Sequence, residues 1–221
     1  MKQIALWDGY DIAPKPVVPK QESIPSVMED QDDILRAIIQ LHLPEGSTTF
    51  DCDCTYGNGV FYRSIEEPEF RYDIDPQVEG VEVGDWKDLP HEDGSLSSVI
   101  ADPPFLVYVK KEREHNCAMA KRFGGYWGYE DLLDDYNQAI KEASRVLRKK
   151  GILVFKLQNM VVNHKYRATD CRVISMAEYM GFRIKDHFLL YARNRMPGPQ
   201  KGQQRHARVH HSSFLVFEKT R

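Results

Sequence analysis

The 221-residue sequence predicts an α/β fold, a central mostly parallel sheet with helices on both faces. Three observations lead there. Short runs that are almost wholly apolar, such as residues 152–157 (ILVFKL), read as strands buried on both faces. These runs alternate with segments of helical periodicity. The last two runs have no helical segment between them, so they pair antiparallel.

The elements follow in order. Residues 1–29 form an arm; four prolines, at 14, 16, 19 and 25, favour an extended chain there. From residue 30 a single domain runs to 221. Ile34, Leu35, Ile38, Ile39 and Leu41 recur at helical spacing behind acids that suit a helix N-terminus, and the helix stops near 43–46 (LPEG). Residues 48–53 make the first strand, followed by a Gly-rich loop at 54–59 and a short helix. Residues 70–74, 81–83 and 97–101 are the next three strands. Leu132, Leu133, Tyr136, Ile140, Ala143, Val146 and Leu147 put one apolar face on a helix over 129–148, closed by Gly151. The fifth strand is 152–157, a helix follows over 170–180, and 182–191 and 213–218 complete seven strands.

Composition suits a globular chain, 42% hydrophobic and 29% charged, with no apolar run long enough for a signal peptide or a membrane span. The expected location is the cytoplasm. Cys52, Cys54, Cys117 and Cys171 lack the spacing of a metal finger and read as reduced, buried or half-buried thiols; no metal is expected. The net charge of −3 conceals a division. Residues 1–104 hold 7 Lys/Arg against 22 Asp/Glu, a net −15, and residues 105–221 hold 23 against 11, a net +12. Such asymmetry suggests a cationic ligand near one half and a polyanion near the other.

The chemistry concentrates at strand ends. The first strand runs into Asp53-x-x-x-Gly57-x-Gly59, where glycines let backbone and ligand approach closely. Asp73 ends the second strand, about twenty residues on, at the position where an acid commonly holds ribose hydroxyls. Asp85-Trp86 follows the third strand and Asp102-Pro103-Pro104-Phe105 the fourth. Four successive strands thus deliver an acid to one rim, the edge that lines the ligand crevice of open α/β sheets. A hydride-transferring dinucleotide enzyme fits poorly: the loop lacks a third glycine, and a pyrophosphate would face several acids.

This order of motifs resembles the S-adenosylmethionine-dependent methyltransferases that modify exocyclic amino groups of nucleobases, of the DNA adenine-N6/cytosine-N4 type. The likeness covers roughly 48–158 by motif, and the closing strand pair extends it to the end. The loop departs from many DNA enzymes at Thr55-Tyr56, where those carry a Pro-Phe-type sequence. The resemblance implies a Rossmann-like class I methyltransferase domain with S-adenosylmethionine as cofactor. Asp53, Thr55, Tyr56, Gly57 and Gly59 would form the loop under its methionine part. Asp73 would take the ribose, Asp85 the adenine amino group, and Trp86 would lie beside the ring. In the catalytic segment, the Asp102 carboxylate and the Pro103 carbonyl would accept from the target amino group, with Pro104 stiffening the turn and Phe105 stacking on a flipped base. No cysteine lies in the motif, which argues against the cytosine-C5 mechanism and its thiol nucleophile.

Two basic, aromatic-containing loops suit phosphate contact. One, at 106–128, carries Lys110, Lys111, Lys121 and Arg122; the other, at 192–212, carries Arg193, Arg195, Lys201, Arg205 and Arg208. The expected activity is methylation of a base amino group, adenine N6 in DNA ranking first. The alternatives are RNA guanine-N2 or adenine-N6 methylation and, in another class, a non-catalytic cofactor-binding subunit. No large recognition domain fits within 221 residues. A short recognition site, a homodimer or a partner subunit would have to serve, and no membrane is expected as partner.

Overall fold

Among the described residues eight strands share one sheet, in the order β1-β9-β10-β6-β5-β2-β3-β4. Their bounds are β1 Val27–Met28, β2 Cys52–Asp53, β3 Phe70–Asp73, β4 Glu82–Val83, β5 Leu96–Ala101, β6 Leu147–Leu157, β9 Phe182–Tyr191 and β10 His211–Lys219. Met160–Val162 and Lys165–Arg167 (β7 and β8) form a separate two-stranded ribbon. The α-helices among the described residues are α1 Gln31–His42, α2 Tyr129–Val146 and α3 Thr169–Tyr179. This computed structural model describes residues 23–107, 128–191 and 205–221. Within the eight-stranded sheet all pairings are parallel except those of β10, which runs antiparallel to both β6 and β9; β7 and β8 pair antiparallel.

Alternation along the strands builds two cores. Ile152 and Val154 of β6, with Phe214 and Val216 of β10, face Ile34, Leu35, Ile38 and Ile39 of α1. Leu153, Phe155, Leu215 and Phe217 face α2 and α3, through Leu132, Tyr136, Ile140 and Val173. Asp30 caps α1 by accepting from Asp32 N–H at 2.8 Å, and His42 near the other end meets Asp186 of β9 at 2.7 Å. No described helix is long and apolar enough to cross a membrane.

Five expectations change. The first sheet strand shrinks from 48–53 to Cys52–Asp53 because Asp51 diverts its neighbours: its carboxylate accepts from Ser97 N–H and Oγ–H at 2.6 and 2.5 Å, and its own N–H donates to Ser98 Oγ at 2.8 Å. The last described part of the proline-rich arm is an eighth strand, β1, parallel to the edge of β9. Gly151 does not close the long helix, which ends at Val146. Leu147 already pairs with Leu96, and Gly151 lies in the bulge before Ile152 resumes the pairing with Ser98, where a Cβ would lie 2.8 Å from the Arg148 carbonyl. The short helix after Gly59 is a single 3-10 turn, Val60–Tyr62. Cys52 and Cys54 are buried, whereas Cys171 is exposed, and Cys117 lies outside the described residues.

Candidate functional site

Parallel pairing in the order β4-β3-β2-β5 brings four carboxyl ends side by side. Asp73 and Asp53 occupy the last positions of β3 and β2, Asp85 follows β4, and Asp102 follows β5. Hydrogen bonds tie these residues into one rim. Gly57, at φ 57°, donates its N–H to Asp73 Oδ2 at 2.8 Å, and Asp75 N–H meets Asp73 Oδ1 at 2.9 Å. Thr55 N–H donates to Asp53 Oδ1 at 2.8 Å, while the Thr55 hydroxyl accepts from Asp102 N–H at 2.7 Å. Thr55 therefore couples the Gly-rich loop to the Asp-Pro-Pro-Phe segment, a link that a proline at this position would lack.

Asp53 is 2% exposed and receives the Tyr62 hydroxyl at 2.7 Å. Burial pushes its pKa up to about 7; the Asp102 and Asp73 charges add to the rise, while the bonds from Tyr62 and Thr55 oppose it. Tyr56 stacks on Tyr62, with ring centroids 5.3 Å apart. A Cβ at Gly59, whose φ is 66°, would lie 2.7 Å from the Tyr56 hydroxyl, so the close approach there is made by Tyr56 itself. Burial also raises the Cys52 and Cys54 thiols well above their ordinary range, which leaves neither as a thiolate nucleophile.

Asp102 is gripped from the α1 side. Lys156 of β6 donates to Asp102 Oδ2 at 2.8 Å and to Gln31 Oε1 at 3.0 Å, and its ammonium stands 4.8 Å from the Phe61 ring centroid and 5.4 Å from that of Phe214. Asp102 Oδ1, by contrast, is buried and has no hydrogen-bond partner. From the α2 side, the Tyr136 hydroxyl donates to the Pro104 carbonyl at 3.1 Å. Among the described residues, no group donates to the Pro103 carbonyl. Pro103 is buried, and Phe105 is partly exposed beside it.

Lys156→Met is expected to destabilise the fold by about 1–3 kcal/mol, because it strands a carboxylate in a largely enclosed site. Lys156→Arg, which keeps the charge, is expected to recover most of that loss. Urea denaturation of the two variants checks this.

Asp85 and Trp86 sit in a segment fastened to α2. Asp85 Oδ1 accepts from Lys87 N–H at 3.0 Å, and Lys87 Nζ lies 3.7 Å from Asp85 and 2.7 Å from Asp135. Trp86 is 9% exposed, edge-on to Tyr136 at 5.8 Å and tilted on Phe155 at 5.9 Å. Its indole packs into the core beneath α2. Buried Glu142 anchors the segment by accepting from Leu89 N–H at 2.8 Å and from Arg145 at 2.6 and 3.0 Å. Arg145 in turn donates to the Leu89 and His91 carbonyls at 2.9 and 2.7 Å. Glu142→Ala is expected to cost about 2–4 kcal/mol in urea denaturation, since it leaves a buried N–H and a guanidinium without their shared acceptor.

Of the basic residues, Arg205 and Arg208 are described and exposed. Lys110, Lys111, Lys121, Arg122, Arg193, Arg195 and Lys201 lie outside the described residues. No cluster of metal-ligating side chains occurs among the described residues. Sequence reasoning did not find Tyr62, Tyr136, Gln31 and Lys156 as residues that hold the rim. A lone lysine in an apolar strand was the available signal. The exposed apolar side chains of Ile74 (71%) and Val83 (78%) beside Asp73 carried no such signal.

No protein-family model and no curated protein matches the chain. Solved structures do. One is a protein from Thermus thermophilus described as a candidate DNA modification methylase, with 18% identity over 68% of this chain and 54% of that one and a TM-score of 0.45. The chain thus spans about half the length of that neighbour. Another is the 1,6-didemethyltoxoflavin-N1-methyltransferase of Burkholderia thailandensis, solved with 1,6-didemethyltoxoflavin and S-adenosylhomocysteine, with 13% identity over 87% and 80% and a TM-score of 0.51. A third is a Haloferax volcanii methyltransferase solved with an activator, with 12% identity over 88% and 92% and a TM-score of 0.47. The fold is the Rossmann-like class I methyltransferase fold.

Proposed function

We propose that this chain transfers a methyl group from S-adenosylmethionine to an exocyclic amino group of a nucleobase, adenine N6 in DNA. The observation that carries the reading is the buried, unpartnered Oδ1 of Asp102. An enclosed carboxylate oxygen without a donor is costly to leave unsatisfied, and at a strand end facing the crevice it suits a donor brought by the substrate.

The rim also fits the cofactor's chemistry. Each Asp73 oxygen accepts one backbone N–H and keeps a lone pair for a ribose hydroxyl. Ile74 and Val83 offer exposed apolar surface beside it for a flat ring. Asp53, Asp73 and Asp102 together favour a cation. When bound, the cofactor supplies a methyl-sulfonium electrophile open to in-line displacement.

The chain's own residues then prepare the nucleophile. An aromatic amino nitrogen attacks poorly because its lone pair is delocalised into the ring. Asp102 Oδ1 and the Pro103 carbonyl, both acceptors, receive hydrogen bonds from its two N–H groups and draw the nitrogen toward tetrahedral geometry. Lys156, itself steadied by Gln31, holds Oδ2, Thr55 holds the Asp102 backbone, and Tyr136 holds the Pro104 carbonyl, so the acceptors are positioned before substrate arrives. Phe105 stacks on the base. Incubation with methyl-labelled S-adenosylmethionine and separate DNA, RNA and small-amine acceptors tests the reading. Label in DNA as N6-methyladenine is expected, and label only in small amines overturns it.

A further inference from the structure

The ribbon β7–β8 is not needed to connect β6 to α3, yet it is rooted firmly. At its base the Asn159 side chain donates to Asp170 Oδ2 at 2.8 Å and accepts from Asp170 N–H at 3.0 Å. The Arg167 guanidinium lies over the Tyr129 ring at 4.8 Å, with its Nε buried and unpartnered. Val162 turns into the core, while Val161 and Tyr166, paired directly across the strands, face outward at 39% and 51% exposure. The tip is a two-residue turn of Asn163 and His164, both at positive φ, 50° and 59°.

Charge and position give this ribbon a character. His206 donates from Nε2 to the His164 carbonyl at 2.9 Å, which brings the segment bearing Arg205 and Arg208 onto the ribbon tip. Lys165, Arg167, Arg205 and Arg208 form no ion pair among the described residues, and residues 187–217 contain no acid. Ala101 pairs with Phe155, so the ribbon leaves β6 within a few residues of Lys156, the partner of Asp102.

We infer that the β7–β8 ribbon and the segment docked on it by His206 grip the phosphate backbone of a duplex DNA substrate beside the base presented to Asp102. This rests on the proposed reading of the site. A two-stranded ribbon is narrow enough for a DNA groove, lysine and arginine neutralise phosphates, and exposed Tyr166 offers an aromatic face to a base or sugar.

The test is fluorescence anisotropy of a labelled duplex oligonucleotide over a salt series. It uses the full chain and the variants Lys165→Ala/Arg208→Ala, Tyr166→Ala and Lys165→Arg. The double variant is expected to bind about tenfold more weakly at low salt, and to lower the slope of log K against log salt by about 2, near 0.9 per lost phosphate contact. Tyr166→Ala is expected to weaken binding about tenfold with the slope unchanged, and Lys165→Arg to behave as the parent. Melting temperatures and S-adenosylmethionine binding should stay as in the parent, because these side chains are exposed and lie off the cofactor rim. If the parent binds duplex DNA and the alanine variants match it in affinity and slope, the ribbon assignment is wrong while the proposed activity stands. If the parent binds no oligonucleotide and methylates only small amines, both fall.

Discussion

Asp102→Asn is expected to lower methyl transfer by about 10²–10³-fold while leaving S-adenosylmethionine affinity within about twofold. The substitution preserves shape, so the loss comes from polarity. Lys156 donates toward the Oδ2 position and carries three hydrogens and no acceptor, which obliges an asparagine to turn its carbonyl oxygen that way. The amide NH2 then takes the place of Oδ1, the one oxygen that has no partner. An amino substrate would meet a donor where it needs an acceptor. Asp102→Ala is expected to lose activity at least as completely and also to strand the Lys156 ammonium, so the asparagine variant is the cleaner probe. Initial rates with saturating cofactor, beside calorimetric cofactor binding, separate the two effects. A matching loss of cofactor affinity would mean that Asp102 serves the cofactor and not the amino group.

What could be read from the sequence was the part governed by periodicity and by strand order. The apolar stripes of α1 and α2 have only one face to bury, and near-continuous apolar strands need cover on both sides, so the architecture and the four acids on one rim followed. What could not be read depends on orientation. Nothing in Gly-Asp-Trp tells whether an indole points to the crevice or into the core; the space beneath α2, lined by Tyr136 and Phe155, decides it. Asp51 shortened a strand through side-chain bonds to residues 97 and 98, partners distant in sequence. The ribbon escaped notice because its turn is Asn-His, without the glycine that usually announces positive φ. Lys156 was nearly legible: one charge in ILVFKL must find a partner, and parallel pairing of β5 with β6 supplies Asp102.

Asp53→Asn is expected to remove a pH dependence of stability that the parent shows between about pH 4 and pH 7. The ordinary aspartate value is 3.8, and burial raises it in the fold to about 7. Below pH 4 both folded and unfolded chains hold the proton, and this residue contributes no difference. As pH rises through 3.8 the unfolded chain releases its proton while the folded chain keeps it. The unfolded state therefore binds fewer protons and stability falls, until Asp53 ionises in the fold near 7 and the loss levels off. At about 1.4 kcal/mol per unit, the full loss is on the order of 4 kcal/mol, most of it above pH 5. An asparagine keeps the local bonds: its carbonyl oxygen accepts from Thr55 N–H, and its NH2 donates to the Tyr62 oxygen, which can accept as well as donate. Its stability should lack this fall, so the variant should gain about 2–3 kcal/mol on the parent between pH 5 and pH 8, measured by urea denaturation at each pH. A constant difference between the two proteins across that range would mean that Asp53 does not titrate there. Under the proposed activity the same proton has a second consequence. A cationic cofactor held at this rim would favour the ionised form of Asp53, so cofactor affinity should rise from pH 6 to pH 8 in the parent and stay level in the asparagine variant.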